Sequence, residues 1–453
     1  MTLSPKREYI VLFLGDIVVF ALSLWAALAI RYLEVPSDDL FMRHFVPFSL
    51  LFGLWAIVFF LAGLYGKHTR LFRSKLPVTI LYTQILNMLF AALFFFLIPA
   101  FGLAPKTILV LYLAVSFPLI YFWRVSLFPR LPRFFAGRRP RGILIASGPD
   151  ARALAREVAA DSRYPFEFIA VIDTGEFDVS EVILRVLRIT AEDSTFLVVD
   201  FSDKAFAAAR PIIYNTVFQK SRFAIIDVVE LYEEVFDCMP LSLVKYEWIL
   251  ESVSSSRAYN TLKRVVDILA AIILGAISLL LYPFIALAIK LDDGGEIFVD
   301  QERVGRFEKP ISLVKFRSMT GNDRGIYGSG GKTALSVTRV GRFLRSTRLD
   351  ELPQLLSVLK GDLSMVGPRP EFPTLSRQYS AKIPYYNARY LVAPGITGWA
   401  QIRHHSHPHH ETDIAETKTK LSYDLYYLKH RSLFLDIFII LQTIKIMLTA
   451  RGS

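Results

Sequence analysis

The sequence predicts a three-part protein. An α-helical membrane bundle of four spans covers 1–125, an α/β Rossmann-like domain covers 126–258, and an α+β domain with a re-entrant membrane helix covers 259–453. Three observations predict it. Four apolar runs, at 10–30, 45–65, 78–98 and 107–123, are each near the ~20 residues that a spanning helix needs. Short strands and helices then alternate from Arg141 onward. A further apolar segment at 263–291 is interrupted by Pro283.

Composition agrees with a membrane part joined to soluble parts. A chain of 453 residues is long enough for more than one domain. A mean hydropathy of +0.39 and 53% hydrophobic residues exceed what an ordinary soluble enzyme carries. The 21% of charged residues is too many for a wholly intramembrane chain. The net charge of +11 suits anionic lipid or phosphorylated substrates. No compact basic tract stands alone, so no nucleic acid is expected as a partner. Cys238 is the sole cysteine, which excludes a disulfide within the chain.

The loops orient the bundle. Lys6 and Arg7 precede the first run, and Glu34, Asp38 and Asp39 follow it. Lys67, Arg70, Arg73 and Lys75 lie in the second loop, Lys106 in the third, and Arg124, Arg130, Arg133, Arg138, Arg139 and Arg141 after the fourth run. The positive-inside rule then puts both ends of the bundle in the cytoplasm. A cleaved signal peptide is the rival reading of the first run. Four successive runs and the lack of a small-residue cleavage site after Ala29 argue against it. Asp16, inside the first run, is a functional suspect by position. A residue buried against its neighbours is the preferred reading.

In the middle region, strands are expected at 142–146, 166–172, 195–200 and 222–226, with helices at 150–161, 179–187 and 204–218. That alternation argues for a parallel sheet covered by helices. A dinucleotide fingerprint needs several glycines in the first strand-helix turn. Here only Gly148 is present, and Asp150 would repel phosphate. A domain used for assembly or regulation is therefore preferred over a nucleotide site.

The 263–291 segment is long enough to span, but Pro283 removes a backbone donor and forces a kink. Lys263 and Arg264 precede it and Lys290 lies near its end, so a full crossing would carry one basic cluster outside. A helix that enters the inner leaflet, breaks at Tyr282-Pro283 and returns is the economical reading; a kinked span is the alternative. Beyond it, Gln301, Arg303, Lys315 and Arg317 are candidates to face an anion, with Gly305 and Pro310 bounding a hairpin turn. A solvated hairpin face is the alternative.

The most telling stretch is 345–371. Asp350 and Glu351 are adjacent, and Arg339, Arg342, Arg345 and Arg348 crowd them. Pro353 belongs in a first helical turn, so a helix should begin near Leu349, with Leu352, Leu355, Leu356 and Leu359 facing the core. The helix dipole would favour both ionised carboxylates. One could attack phosphorus while the other holds a metal. Helix capping by acidic residues explains the pair equally well on spacing alone.

LDELPQLLSVLKGDLSMVGPRP, with QERVG, KFRSM, APGITGWAQI and YDLYYLK in the same order, resembles the bacterial sugar transferases. These are the polyprenyl-phosphate hexose-1-phosphate transferases, a monotopic phosphoglycosyl transferase superfamily. The layout of the first two parts is similar to the large subfamily typified by undecaprenyl-phosphate galactose phosphotransferases. The resemblance implies an enzyme of the bacterial inner membrane with its catalytic domain in the cytoplasm. Its substrates would be a UDP-sugar and undecaprenyl phosphate, and UMP would be released by ping-pong chemistry. Asp350 would form a covalent phosphosugar, and Glu351 would bind Mg²⁺. Pro368, Arg369 and Pro370 would contact the nucleotide, and Arg317 and Arg348 would clamp phosphate. Asp424 lies in a matching block with either a substrate or a structural role. Inner-leaflet lipids, downstream glycosyltransferases and a second copy in a homodimer are the implied partners, and O-antigen, capsule or exopolysaccharide synthesis the implied setting. A membrane scaffold that keeps the fold without catalysis is the alternative. Two departures stand out: Tyr282 replaces the serine common before the break, and RHHSHPHHE after GWAQI carries His404, His405, His407, His409 and His410, read as a solvated loop.

Overall fold

The computed structural model describes residues 5–65, 76–98, 101, 106–128, 140–161, 164, 166–175, 196–201, 203, 211, 224–244, 257–321, 335–404 and 413–448. The chain divides into two compact units, Met1–Arg139 and Pro140–Ser453. The basic loop at 66–75, the helix expected at 179–187, nearly all of that at 204–218, and the histidines from His405 to His410 lie outside the described residues.

The first unit holds helices α1 (Pro5–Tyr32), α2 (Asp38–Leu61), α3 (Leu76–Leu97) and α4 (Lys106–Phe122), the last running on as a π-turn at Trp123–Leu127. The four apolar runs are long enough to cross a membrane. Phe20, Phe48, Trp55, Phe59 and Tyr112 are fully buried between them. Phe20 meets the edge of Trp55 at 5.5 Å and 82°, a geometry that adds quadrupole attraction to burial. Asp16 is also fully buried and forms an ion pair with Arg124. Tyr65 Oη donates to Asp16 at 2.7 Å, and Arg124 Nη1 donates to the Leu64 carbonyl at 2.7 Å. An isolated charge here would be costly to desolvate; a partner with several hydrogen bonds offsets much of that. So Asp16 is tied internally, buried against its neighbours as expected, and the basic flank after α4 loses Arg124 to the bundle interior.

The second unit begins with β1 (Arg141–Ile145), α5 (Pro149–Ala160), β2 (Glu167–Ile172), β3 (Phe196–Val199), β4 (Ala224–Asp227) and α6 (Val228–Phe236). The strands form one parallel sheet in the order β2-β1-β3-β4. Parallel strands buried on both faces read as continuous apolar runs, which is what Ile143–Ile145 and Phe196–Val199 are. At the first turn Gly148 takes φ 95°, a conformation that favours glycine. Asp150, at the start of α5, accepts from the Ser242 amide at 2.9 Å and the Ser242 hydroxyl at 2.6 Å. The Asp150 carboxylate is thus engaged by the chain's own groups at this helix start.

The remaining elements are α7 (Arg257–Leu279), α8 (Tyr282–Asp293), β5 (Phe298–Val304), β6 (Pro310–Phe316), α9 (Arg339–Thr347), α10 (Leu355–Lys360), β7 (Ser364–Val366), α11 (Pro373–Lys382), β8 (Gly395–Thr397), α12 (Trp399–Arg403), α13 (Ile414–His430) and α14 (Leu433–Leu448). Helices α7 and α8 are bent by 55° at Leu280-Leu281. One side of α7 is polar and docked. Tyr259 Oη and Lys263 Nζ reach Asp436 of α14 at 2.9 and 3.1 Å, and Arg264 caps α10 through the Val358 and Leu359 carbonyls at 2.6 and 2.8 Å. Asp267 accepts from Ser364 Oγ and the Met365 amide. The other side exposes Leu262, Val265, Leu269 and Ile272. At the far end of α8, Asp292 accepts from the Val340 amide at 2.9 Å and Asp293 pairs with Arg317. Both ends of the bent segment are therefore held by the same unit.

The break is satisfied without a serine at position 282. Leu280 and Leu281 donate to the carbonyls of Ile277 and Ser278 at 3.2 and 2.8 Å, the tighter i→i+3 pattern that closes helix ends. Tyr282 instead packs its ring edge-on against Phe316 at 4.9 Å. The stripe expected from 352 to 359 needs correction. Leu355 and Val358 are buried, but Leu356 is 60% exposed and Leu359 38%. A 3-10 turn, Leu349–Gln354, precedes α10, so the spacing of 3.6 residues per turn does not run through Pro353.

Candidate active site

The site is built where three local structures converge. The first is the antiparallel β5–β6 hairpin. Its register pairs Gln301 with Leu313, Arg303 with Ile311 and Val299 with Lys315. Alternation along a strand puts Gln301, Arg303 and Lys315 on one face. The second is the 3-10 turn with Asp350 and Glu351, entered through Arg348 in a left-handed conformation at φ 56°. The third is the turn Pro368-Arg369-Pro370 after β7. Gln301, Arg303, Lys315, Glu351, Arg369 and Pro370 line one small, open cleft, to which Leu313, Gln354, Gly395 and Ile396 also contribute.

The Pro-Arg-Pro turn is fixed through its carbonyls, because proline offers no N–H. Pro368 O accepts from the Gly395 amide at 2.9 Å, Arg369 O from Arg389 Nη2 at 3.0 Å, and Pro370 O from Arg303 Nη1 at 3.3 Å. Glu371 O accepts from the Val304 amide at 2.9 Å, stitching the turn to the hairpin. Gly367 and Gly395 allow this approach: a Cβ at either would strike the backbone of the other segment. Arg303 further lies 3.3 Å over the Phe372 ring and donates to Gln301 Oε1 at 2.8 Å.

The two carboxylates are placed differently. Asp350 is 8% exposed. Burial pushes its pKa above the ordinary carboxylate range, and the adjacent Glu351 charge adds to this, while Lys315, Arg369 and Arg345 oppose it. Burial acts on Glu351 in the same direction, but Arg369 and Arg348 outweigh it and hold that carboxyl below its usual range. Arg369 Nη2 donates to Glu351 Oε1 at 2.7 Å while nearly half of the Arg369 side chain faces solvent. The helix dipole was expected to favour both ionised forms; at Asp350 burial reverses it. Lys315 is pushed down to about 8, first by burial and then by Arg303. A raised carboxylate is the more basic and nucleophilic member of such a pair, and the ionised one suits a cation.

Glu351 Oε2 and Arg348 Nη1 are buried with no hydrogen-bond partner. Glu351 lines the cleft, and an orphaned carboxylate oxygen there fits a Mg²⁺ ligand. No cluster of three or more metal-ligating side chains occurs among the described residues. Mg²⁺ commonly uses one or two carboxylates plus substrate phosphates, so the donor set fits.

Other expected residues lie elsewhere. Arg317 is engaged by Asp293 and by the carbonyls of Glu296 and Met319, outside the cleft lining. Asp424 is buried 2.9 Å from Arg389 Nη2, and burial raises it to about 6 against the pull of that arginine. Pro368 is buried behind the turn, and Tyr282 and Pro283 begin α8. Arg389 was not singled out from the sequence. Its partners at 369 and 424 are brought to it only by the fold, and Tyr386, three residues earlier in the same turn, does not by itself mark a site.

The model of a family described as "Bacterial sugar transferase" matches residues 258–450. The chain is similar, at 41% identity over 208 residues, to a UDP-N-acetylgalactosamine-undecaprenyl-phosphate N-acetylgalactosaminephosphotransferase of Aeromonas hydrophila, covering 45% of this chain and 48% of that one. It thus spans about half the length of that curated relative. A UDP-glucose:undecaprenyl-phosphate glucose-1-phosphate transferase of Caulobacter vibrioides is 39% identical over 197 residues, 43% of this chain and 73% of the relative. A UDP-galactose-lipid carrier transferase of Erwinia amylovora is 27% identical over 346 residues, 70% of this chain and 69% of the relative.

Proposed function

The chain belongs to the bacterial sugar transferase family, and from that premise we propose that it moves a hexose-1-phosphate from a UDP-sugar to undecaprenyl phosphate. A carboxylate oxygen of Asp350 attacks the β-phosphorus. The bond from that phosphorus to the bridging oxygen breaks, UMP leaves with the electron pair, and a phosphosugar remains on Asp350. A phosphate oxygen of the polyprenyl acceptor then attacks the same phosphorus, freeing the carboxylate and leaving a polyprenyl-diphosphate hexose. Lys315, Arg348 and Arg369 balance the charge of the diphosphate during both steps. Glu351, through Oε2, would hold Mg²⁺, which when bound neutralises phosphate charge.

The single observation that carries the reading is geometric: buried Asp350 directly precedes Glu351, which accepts from Arg369 at the wall of a cleft that Arg303 and Lys315 also line. We read 263–291 as re-entrant, supported by the anchoring of both its ends on one unit, and place that unit on the cytoplasmic face, where nucleotide sugars are made. The sheet domain then serves assembly; it meets the catalytic part through Glu233, which pairs with Lys429 and His430 at 2.6 and 2.7 Å, and Asp237, whose carbonyl accepts from Trp399 Nε1 at 2.8 Å. The test is UMP release by membranes carrying the protein, given radiolabelled UDP-hexoses, Mg²⁺ and undecaprenyl phosphate. Release with one or more donors is expected; none with any donor would favour a scaffold.

A further inference from the structure

We propose that Arg389 is a positioning residue for this chemistry: clamped by Asp424 and Tyr386, it fixes the Arg369 carbonyl and thereby the Arg369 grip on Glu351. The inference rests on the roles just assigned to Arg369 and Glu351. Arg389 is 7% exposed, and three groups converge on its guanidinium. Nη1 donates to Tyr386 Oη at 2.6 Å, while Nη2 donates to Arg369 O at 3.0 Å and lies 2.9 Å from Asp424 Oδ2. Tyr386 and Asp424 themselves are 1% and 2% exposed, so the guanidinium lies among buried groups.

The turn is pinned at its edges by the Gly367 amide, which donates to Thr397 O, and by Glu371 O, which accepts from the Val304 amide. Within it, proline at 368 and 370 offers no N–H, and the carbonyls of Arg369 and Pro370 are each taken by an arginine, Arg389 and Arg303. Fixing Arg369 O fixes the Cα from which its side chain departs. That side chain donates to Glu351 Oε1 at 2.7 Å and leaves Oε2 for a cation. A planar fork can serve carboxylate, phenol and carbonyl at once; an ammonium cannot keep that geometry. Supporting residues of this kind typically change metal affinity or activity 10–100-fold. Asp424 acts here through Arg389, without touching substrate.

The test uses the full chain in lipid nanodiscs. Arg389→Lys keeps the charge beside Asp424 and removes the fork. Hydrogen exchange in the peptide spanning 367–372 should rise at least tenfold, with α13 and the β5–β6 hairpin unchanged. In UMP release, kcat should fall about tenfold or more and the Mg²⁺ half-saturation should rise by a similar factor. A merely structural defect would lower the amount of active protein and leave that half-saturation unmoved. The double variant Arg369→Ala/Arg389→Lys should be no slower than Arg369→Ala alone. Losses that multiply, or unchanged exchange at 367–372, overturn the proposal. If Arg389→Lys does not fold, Tyr386→Phe removes one anchor only; a smaller shift in the same direction supports the proposal and none overturns it. A wild-type chain that releases UMP but shows no metal dependence removes the Glu351 role and with it this coupling. A chain that releases no UMP fails the reading itself, and exchange still reports on the clamp.

Discussion

At the residue scale, neighbouring carboxylates are driven apart by what surrounds each. Asp350 and Glu351 are adjacent in sequence, yet among the described residues only Glu351 has an arginine hydrogen-bonded to it. Changing Asp350 to Asn should lower UMP release a thousandfold or more, the order expected for loss of a nucleophile. Burial raises the Asp350 pKa on folding, so its ionised form costs stability at neutral pH. The Asn variant should therefore melt no lower than wild type, which a thermal scan of the purified protein checks. Lys315 sets an opposite limb. Held down at about 8, it loses its charge as pH rises through that value, and kcat/KM for the anionic donor should fall above it. Changing Lys315 to Arg should move that limb upward by more than one pH unit; an unmoved limb would assign it to another group.

At the element scale, the bent segment α7–α8 is an amphipathic device. Its polar side carries Tyr259, Lys263, Arg264 and Asp267, spaced to fall on one face of a helix, and each finds a partner in the same unit. If the segment is re-entrant, single cysteines at Arg257 and Glu296 should both react with an impermeant maleimide in inverted vesicles and neither in right-side-out ones. One label from each side would make the segment a span. Changing Tyr282 to Ser, which restores the residue common before this break, should destabilise the chain by about 1–3 kcal/mol, because the lost ring contact with Phe316 outweighs a new hydroxyl in a backbone already paired. Denaturation monitored on the purified variant measures it.

At the scale of the whole molecule, the elements legible in the sequence are those governed by local rules. The four apolar runs, the strands of the parallel sheet and the hairpin bounded by Gly305 and Pro310 follow from periodicity and turn chemistry. What failed was register across a change of helix type: the 3-10 turn at Leu349–Gln354 turned Leu356 and Leu359 outward. What was missed depends on contacts far apart in sequence. Arg389, not named from the sequence, joins 369 to 424; Arg303 and Arg317, named as anion-facing, are drawn instead to the Pro370 carbonyl and to Asp293. No spacing rule reports such pairings, because charge alone does not say whether an arginine faces substrate or its own backbone. The junction between sheet domain and catalytic part is of the same kind. Changing Glu233 to Ala leaves Lys429 and His430 without their acid and should lower stability by about 1–3 kcal/mol, less than for a fully buried pair because both cations are partly exposed. Urea titration of the purified chain would read this.

All three scales meet at one proposed bond, between the Asp350 carboxyl oxygen and the donor's β-phosphorus. Peptide mass spectrometry of the protein quenched after exposure to UDP-sugar and Mg²⁺, with the polyprenyl acceptor withheld, tests that bond most directly. The expected result is a hexose-phosphate adduct on the Asp350 peptide that disappears when undecaprenyl phosphate is added. UMP release with no adduct, or an adduct on a different residue, would contradict the account.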